Sequence, residues 1–567
     1  LFQLQNVRLR AGQRVFYDGN FTFKSLLVVV RVVISRNFQP CRHQDTKWDR
    51  HFWLLLGCVV VARMIYALAF CSEYDLAGDE AYYWDWGRRP DWGYYSKPPM
   101  IGWLMGLVGF VSGNAEWGIR LAPLVLGSVS LIAIHRLTRI MFSSRVAFWV
   151  VVLMLCTPGN AGLNLLFTID SPLVLAWSAA LLMFWCSLEK PDSWSRWLCL
   201  GLVLAFGSLS KQMMLLFPLL MVIYLLVSPT QRAIIRNPRM WLSILMGFAA
   251  LIPVIVWQRQ HGWITLTHMK EHFDRAEPTW VNHLGWFFQF PLAQAALYSP
   301  VTWAALLGVL GVALIRWKRG DRRTWFLVVF SAPALLAFHF LAVRQDVHAN
   351  WPAVFYLSGF VLLAAWMDGA ALVSVGDGVT REKWRRNAIM VGLFFSALMY
   401  ALPMVVRPAG YAGDRRVDGY FGALRGASEA GVKAGEFLSK VPNPERTFVV
   451  VMGHRYHAAR MAFYMPQQPR VFRWQKDGLI ESQYEVWPGP ADKKGWDALI
   501  LYPAAEGGVK RELASSLRKS FNSTSKMGDV EVAIGKGSVR SYQVFLGSSL
   551  VAWPDTNKAK ASPETSF

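Results

Sequence analysis

The chain has 567 residues, of which 54% are hydrophobic and only 17% charged. A soluble globular chain carries about a quarter charged residues, so this composition excludes an ordinary soluble enzyme and predicts several membrane spans. The net charge of +22 would suggest nucleic acid in a soluble protein, but here the basic residues sit in short loops between apolar runs, which points away from nucleic acid and towards membrane topology and anionic lipid headgroups.

Residues 1–52 are expected to form a cytoplasmic extension. Residues 1–50 show no secretory apolar core followed by a small-residue cleavage site, and the apolar stretch Ser25–Ser35 is too short to span and is broken by Arg31. Apolar runs of spanning length follow near 53–72, 117–141, 146–164, 171–188, 195–210, 212–228, 239–257, 291–315, 324–342, 349–367 and 387–406. They predict a polytopic α-helical membrane protein with about 11 transmembrane helices. The stretch 195–228 reads as two short helices around Lys211 or as one broken helix. The stretch 98–113 reads as a short helix lying on the membrane, opened by Pro98-Pro99 and closed by Gly113.

The loops test this reading. With a cytoplasmic N-terminus, the loops after even-numbered spans should be rich in Lys and Arg. They carry Arg136, Arg139 and Arg145, then Lys190 and Arg196, then Arg232, Arg236 and Arg239. Arg316, Lys318, Arg319, Arg322 and Arg323 follow, and finally Arg381, Lys383, Arg385 and Arg386. The odd loops are poorer in positive charge or mix it with acids. The 27 Trp fit aromatic belts at the bilayer surfaces. Cys41, Cys58, Cys71, Cys156, Cys186 and Cys199 have no CxxC spacing and read as small apolar residues, not as a disulfide or metal framework.

After Val406 the character changes. Thr447–Gly453 and Ala498–Tyr502 read as buried strands, with a helix around Tyr456–Tyr464 between them. Residues 407–567 are therefore expected to form a small soluble α/β domain ending in a disordered tail. An odd number of spans places it outside the membrane.

Chemistry concentrates in the external loops. The first, over 73–116, contains Glu73, Asp75, Gly78-Asp79-Glu80, Tyr82-Tyr83-Trp84-Asp85-Trp86 and Asp91-Trp92-Gly93-Tyr94-Tyr95-Ser96-Lys97-Pro98-Pro99. Adjacent carboxylates such as Asp79-Glu80 can hold a divalent ion or act as a base, and the same loop can equally be a solvated interfacial one. Asp170, before Ser171-Pro172, fits both a helix cap and a functional carboxylate. Lys211 lies between apolar runs, where an ammonium is costly unless paired; it fits a phosphate partner or a snorkelling lysine. Arg259 and His261 in the fourth external loop, and Arg344, His348 and Asn350 in the fifth, map to the same side. Together with Lys97 and Lys211, these cations can hold a lipid phosphate or anchor the interface.

Gly78-Asp79-Glu80-Ala-Tyr-Tyr-Trp and Asp91-Trp-Gly-Tyr-Tyr-Ser-Lys97-Pro98-Pro99 resemble the first periplasmic loop of bacterial GT-C fold glycosyltransferases, the protein O-mannosyltransferase-like and lipid A aminoarabinose transferase-like proteins. Thr168-Ile-Asp170-Ser-Pro172 is similar to their Thr-Pro-Asp-x-Pro segment, with Ile169 in place of Pro. Ser210-Lys211, Gln260-His261-Gly262-Trp263 and His348-Ala-Asn350-Trp351-Pro352 are similar as well, so the resemblance covers roughly 53–505. It implies a transmembrane glycosyltransferase domain over 53–406, with 73–116 as its catalytic loop. It implies a polyprenyl-phosphate sugar donor, an extracytoplasmic acceptor and inversion at the anomeric carbon. Lipid A or lipopolysaccharide is the expected acceptor and a protein the alternative, at the bacterial inner membrane. Asp79, Glu80 and Asp170 are implied as catalytic, and Lys97, Lys211, Arg344 and His348 as donor-phosphate ligands. Tyr82, Tyr94, Tyr95, Arg259, His261 and Asn350 are implied as substrate-binding, and Asp79 with Asp170 as ligands of an optional divalent metal.

A transporter or flippase of lipid-linked sugars is the rival from another class. It would place its polar residues near the midplane on discontinuous helices, often in repeated halves. Here the notable charges lie at one face and no repeat is visible. A scaffold or receptor would not need acids and cations from separate loops to converge. An O-antigen ligase or polymerase is disfavoured by the Asp-Glu loop.

Overall fold

The computed structural model describes residues 46–71, 74–273, 279–317, 321–370, 376–409, 424–475, 479–504, 513, 515–535 and 538–554. Nearly all of the N-terminal extension, Glu73, Lys318, Arg319 and the tail expected to be disordered lie outside the described residues.

Each apolar run carries helix. The first, α1, covers Thr46–Cys71. The short helix α2, Gly78–Gly87, follows where the chain leaves it, and Glu80 closes its first turn by accepting the Ala77 N–H at 3.0 Å. Met100–Ser112 is a helix with Pro99 before it and Gly113 behind it at φ 64, the left-handed stop expected of glycine. The central helix, α3, covers Asp170–Glu189, and the apolar stretch that qualifies it as a span is wholly buried.

Among the described residues, five helices are long and apolar enough to cross a membrane, or up to seven if each of two bent pairs is one span. The number expected from hydropathy was larger because several runs are broken. Proline sits at the break in two of them: Ser144–Leu155 and Pro158–Leu165 bend by 74°, and Trp280–Tyr298 and Pro300–Ile315 by 107°. Proline lacks the N–H that would continue a helix and favours the first turn of a new one. The 195–228 stretch is likewise two helices, Trp194–Ser208 and Leu216–Val227, with Lys211 in the break.

The two ends of the bundle differ in chemistry. α3 starts at Asp170 and ends at Glu189, so about 30 Å separates its ends. Near Glu189 the basic loops pair with scattered acids: Arg139 with Asp49 at 2.9 Å, Arg145 with Asp368 at 3.0 Å, Arg239 with Asp192 at 2.9 Å, and Arg322 with Glu189. Near Asp170 lie the first-loop acids and the C-terminal domain.

That domain is a five-stranded sheet of order β2-β1-β3-β5-β4, with β1 at Thr447–Val451, β2 at Val471–Arg473, β3 at Asp497–Pro503, β4 at Phe521–Gly535 and β5 at Ser538–Leu550. β1 is parallel to β2 and β3, and β5 is antiparallel to both β3 and β4. Every residue of β1 is buried, as suits a parallel strand covered on both faces. The helix α4, Arg455–Tyr464, follows β1 as expected. The long β4–β5 pair escaped the sequence reading, because its alternating polar residues make no apolar run.

α4 docks directly on the first external loop. The Leu76 N–H donates to Tyr464 Oη at 2.7 Å, and Tyr464 donates to Glu116 at 2.8 Å. Asp75 accepts from the N–H groups of Ala427 and Ser428 at 2.5 and 3.2 Å, capping a helix that starts in the C-terminal domain. Tyr484 donates to the fully buried Asp85 at 2.9 Å.

Candidate active site

Asp79 sits in the first turn of α2 and faces α4, where Tyr456 donates its hydroxyl to Asp79 Oδ1 at 3.1 Å. Asp170 opens α3. Its side chain caps nothing; one oxygen takes Lys211 Nζ at 2.7 Å and the other takes Asn350 Nδ2 at 2.7 Å. The break after Trp194–Ser208 brings Lys211 there, and the loop after Ala332–Arg344 brings Asn350. A carboxylate at a helix N-terminus is also favoured by the helix dipole.

Lys97 stands among these groups. Burial, and then the Lys211 ammonium, hold the Lys97 pKa below its ordinary value, against the attraction of Asp79 and Asp170; Arg455 adds further repulsion. Its amine makes no hydrogen bond to a described residue, which suits a cation kept for an anion brought in from outside. Arg455 lies over the rings of Tyr82 and Tyr456, at 5.5 and 5.0 Å. Burial pushes the Tyr456 hydroxyl up to about 12, with the nearby Asp79 carboxylate adding to the shift, so the group is a donor at neutral pH.

Five expected residues therefore come together: Asp79, Asp170, Lys97, Lys211 and Asn350. Glu80 does not join them. Its carboxylate, expected to support Asp79, is fully buried, paired with Arg120 at 3.1 Å and accepting the Phe167 N–H at 2.9 Å, and these contacts hold the loop. Arg344, His348 and Arg259 are exposed, and neither Asp79 nor Asp170 bonds to any of them. His261 stacks on Trp257 with centroids 4.0 Å apart, and its Nδ1 bonds to the Trp257 carbonyl at 2.8 Å.

The three tyrosines expected to bind substrate are buried in packing. Tyr82 accepts from the Gln483 N–H at 2.5 Å, Tyr94 stacks on Trp86 at 4.3 Å, and Tyr95 pairs with His268 at 3.2 Å. Among the described residues no group of three or more His, Cys, Asp or Glu is arranged to hold a metal. Asp170 already carries an ammonium and an amide, so the expected Asp79–Asp170 pair does not fit a cation without displacing Lys211.

Arg455 and Tyr456 were missed as site residues. The available signal was the run His454-Arg455-Tyr456-His457 directly after β1, where a parallel strand meets a helix N-terminus, a common place for ligand contacts.

A family model described as dolichyl-phosphate-mannose-protein mannosyltransferase matches residues 96–257, a segment that holds Lys97, Asp170 and Lys211. The chain is 28% identical over 424 residues to the lipid A galacturonosyltransferase RgtD of Rhizobium johnstonii, covering 74% of this chain and 85% of that protein. It is 25% identical over 322 residues to undecaprenyl phosphate-alpha-4-amino-4-deoxy-L-arabinose arabinosyl transferase 2 of Pseudomonas fluorescens, covering 54% of this chain and 52% of that one. The crystal structure of ArnT from Cupriavidus metallidurans in the apo state superposes with a TM-score of 0.59 at 15% identity, over 91% of this chain and 100% of that one. Together these similarities support a GT-C glycosyltransferase of the mannosyltransferase and ArnT type. The carboxylates and cations of the site come from three separate parts of the helical bundle and from the C-terminal domain.

Proposed function

We propose that this enzyme moves a sugar from a polyprenyl-phosphate carrier to lipid A or another lipopolysaccharide acceptor, on the outer face of the bacterial inner membrane. The observation that carries this reading is the convergence of two carboxylates with Lys97, Lys211 and Arg455 at one end of the bundle. Displacement at a sugar carbon needs a base for the nucleophile and positive charge for the departing phosphate. In this reading Asp79 takes the proton of the acceptor hydroxyl as its oxygen bonds to the anomeric carbon. The bond from that carbon to the carrier phosphate breaks with its electron pair on the phosphate oxygen. Lys97 and Lys211 then hold the phosphate, and attack from the opposite face inverts the centre. Asp170, fixed by Lys211 and Asn350, lines the acceptor side and orients the ammonium.

The two relatives named above act on lipid A or use an undecaprenyl-phosphate sugar, which supports both halves of the proposal. The charges gather at one end of the helices and not at their middle, which favours an enzyme over a flippase. Deleting the gene and comparing lipid A, core oligosaccharide and envelope glycoproteins by mass spectrometry tests it. Loss of one sugar from lipid A, restored by wild type and not by Asp79→Asn, is expected. Loss from a protein instead would make this a protein O-glycosyltransferase, and build-up of lipid-linked sugar with no missing product would make it a transporter.

A further inference from the structure

The glycine of Gly78-Asp79-Glu80 has a steric reason. A Cβ at Gly78 would lie 2.3 Å from Tyr456 Cγ and 2.6 Å from both Cδ atoms, closer than side chains approach. The missing side chain lets the Tyr456 ring lie flat against the first turn of α2. From there its hydroxyl reaches Asp79 Oδ1 at 3.1 Å, across 377 residues of sequence. Asp79 Oδ2 has no hydrogen-bond partner among the described residues. The ring cannot move independently of the domain that carries it, because α4 is tied to the same loop by Tyr464 and by Arg460, which donates to the Leu76 carbonyl at 3.3 Å.

We propose that Tyr456 is a positioning residue for Asp79, delivered by the C-terminal domain and admitted by Gly78. It holds one carboxylate oxygen so that the other is turned to the acceptor hydroxyl. Arg455 beside it, lying over the same ring, fixes the tyrosine in turn. The C-terminal domain is then part of the reaction centre. The proposal rests on Asp79 being the base.

The test uses the full chain, with undecaprenyl-phosphate sugar extracted from parental membranes as donor and lipid A from the deletion strain as acceptor. Tyr456→Phe should lower kcat about ten-fold, the worth of one hydrogen bond to a charged group, with the donor KM unchanged. Gly78→Ala should cause a loss of the same kind while removing no polar atom. Asp79→Asn/Tyr456→Phe should be no slower than Asp79→Asn, and the melting-temperature shifts of the two single variants should be non-additive in the double. A wild-type kcat in Tyr456→Phe, a loss in KM alone, or additive shifts would overturn the proposal. If Gly78→Ala does not fold, the Tyr456→Phe comparisons decide. Full activity in Asp79→Asn would instead remove the base assignment itself, which distinguishes the two failures.

Discussion

Successive residues on a helix point about 100° apart, and that angle separates Asp79 from Glu80. Asp79 meets Tyr456 at the surface of α2, and Glu80 is driven into the core against Arg120. Their substitutions should therefore differ in kind. Asp79→Asn should lower the melting temperature only slightly and slow transfer by about a hundred-fold or more. Glu80→Ala takes from the buried Arg120 one of its two carboxylates, Glu116 at 3.0 Å being the other, and leaves the Phe167 N–H without its acceptor, so it should cost about 2–3 kcal/mol, read as a lower melting temperature and poor yield. The Asp170–Lys211 pair allows a sharper comparison. Lys211→Ala leaves a nearly buried carboxylate with Asn350 alone, and should destabilise by about 3 kcal/mol. Adding Asp170→Asn should recover most of that stability and none of the activity, as thermal unfolding and transfer rates would register. For Lys97 the sign of the pH effect follows from its lowered pKa. Its charge is present below that pKa and is lost as pH rises through it, earlier than for an exposed lysine. Donor KM should rise at alkaline pH in the wild type and stay flatter in Lys97→Arg, whose charge does not titrate there.

At the level of elements, the acids of the first external loop differ in what they meet. Asp79 bonds to Tyr456 beside the candidate site, Glu80 pairs with Arg120 in the core, and Asp75 and Asp85 hold the C-terminal domain. Asp75 caps the helix Ala427–Ser439, whose own preceding residue is Gly426 at φ 74 with no side chain to offer. Asp75→Ala should cost about 1 kcal/mol and raise amide exchange at the start of that helix, as hydrogen-exchange mass spectrometry would measure. The sequence singled out Asp79-Glu80 by its motif, but nothing in it told Asp79 from Glu80 or showed that Asp75 and Asp85 bind the C-terminal domain. What could be read was charge in an unusual setting: Asp170 and Lys211 stand out because they interrupt apolar runs, and the helices around them follow from hydropathy and proline. Arg344, His348 and Arg259 stand out as loop cations mapped to the same side, yet the fold leaves them exposed. A one-sided topology says which face a residue is on, not which neighbour it meets. Tyr456 and Arg455 carried no local signal strong enough to link them to a loop near the other end of the chain.

Over the whole molecule, the bundle has a basic end around Glu189, Asp368 and the arginine loops, and an end of paired acids and cations capped by the C-terminal domain. Loops rich in Lys and Arg remain on the cytoplasmic side of a membrane. Single cysteines in a cysteine-free background test this orientation. One at Val432, exposed on the C-terminal domain, should react with an impermeant maleimide in intact spheroplasts; one at Asp192, in the basic loops, should react only after permeabilisation. The docking of the C-terminal domain also bears on how such enzymes can be recombined. Leu76, Asp75, Tyr82 and Asp85 on one side, and Ala427, Tyr464, Gln483 and Tyr484 on the other, form a single lock whose halves lie more than three hundred residues apart. A chimaera that grafts on a relative's C-terminal domain alone would break that lock and leave Asp79 without its tyrosine. The unit that can be exchanged intact is the domain together with residues 74–88.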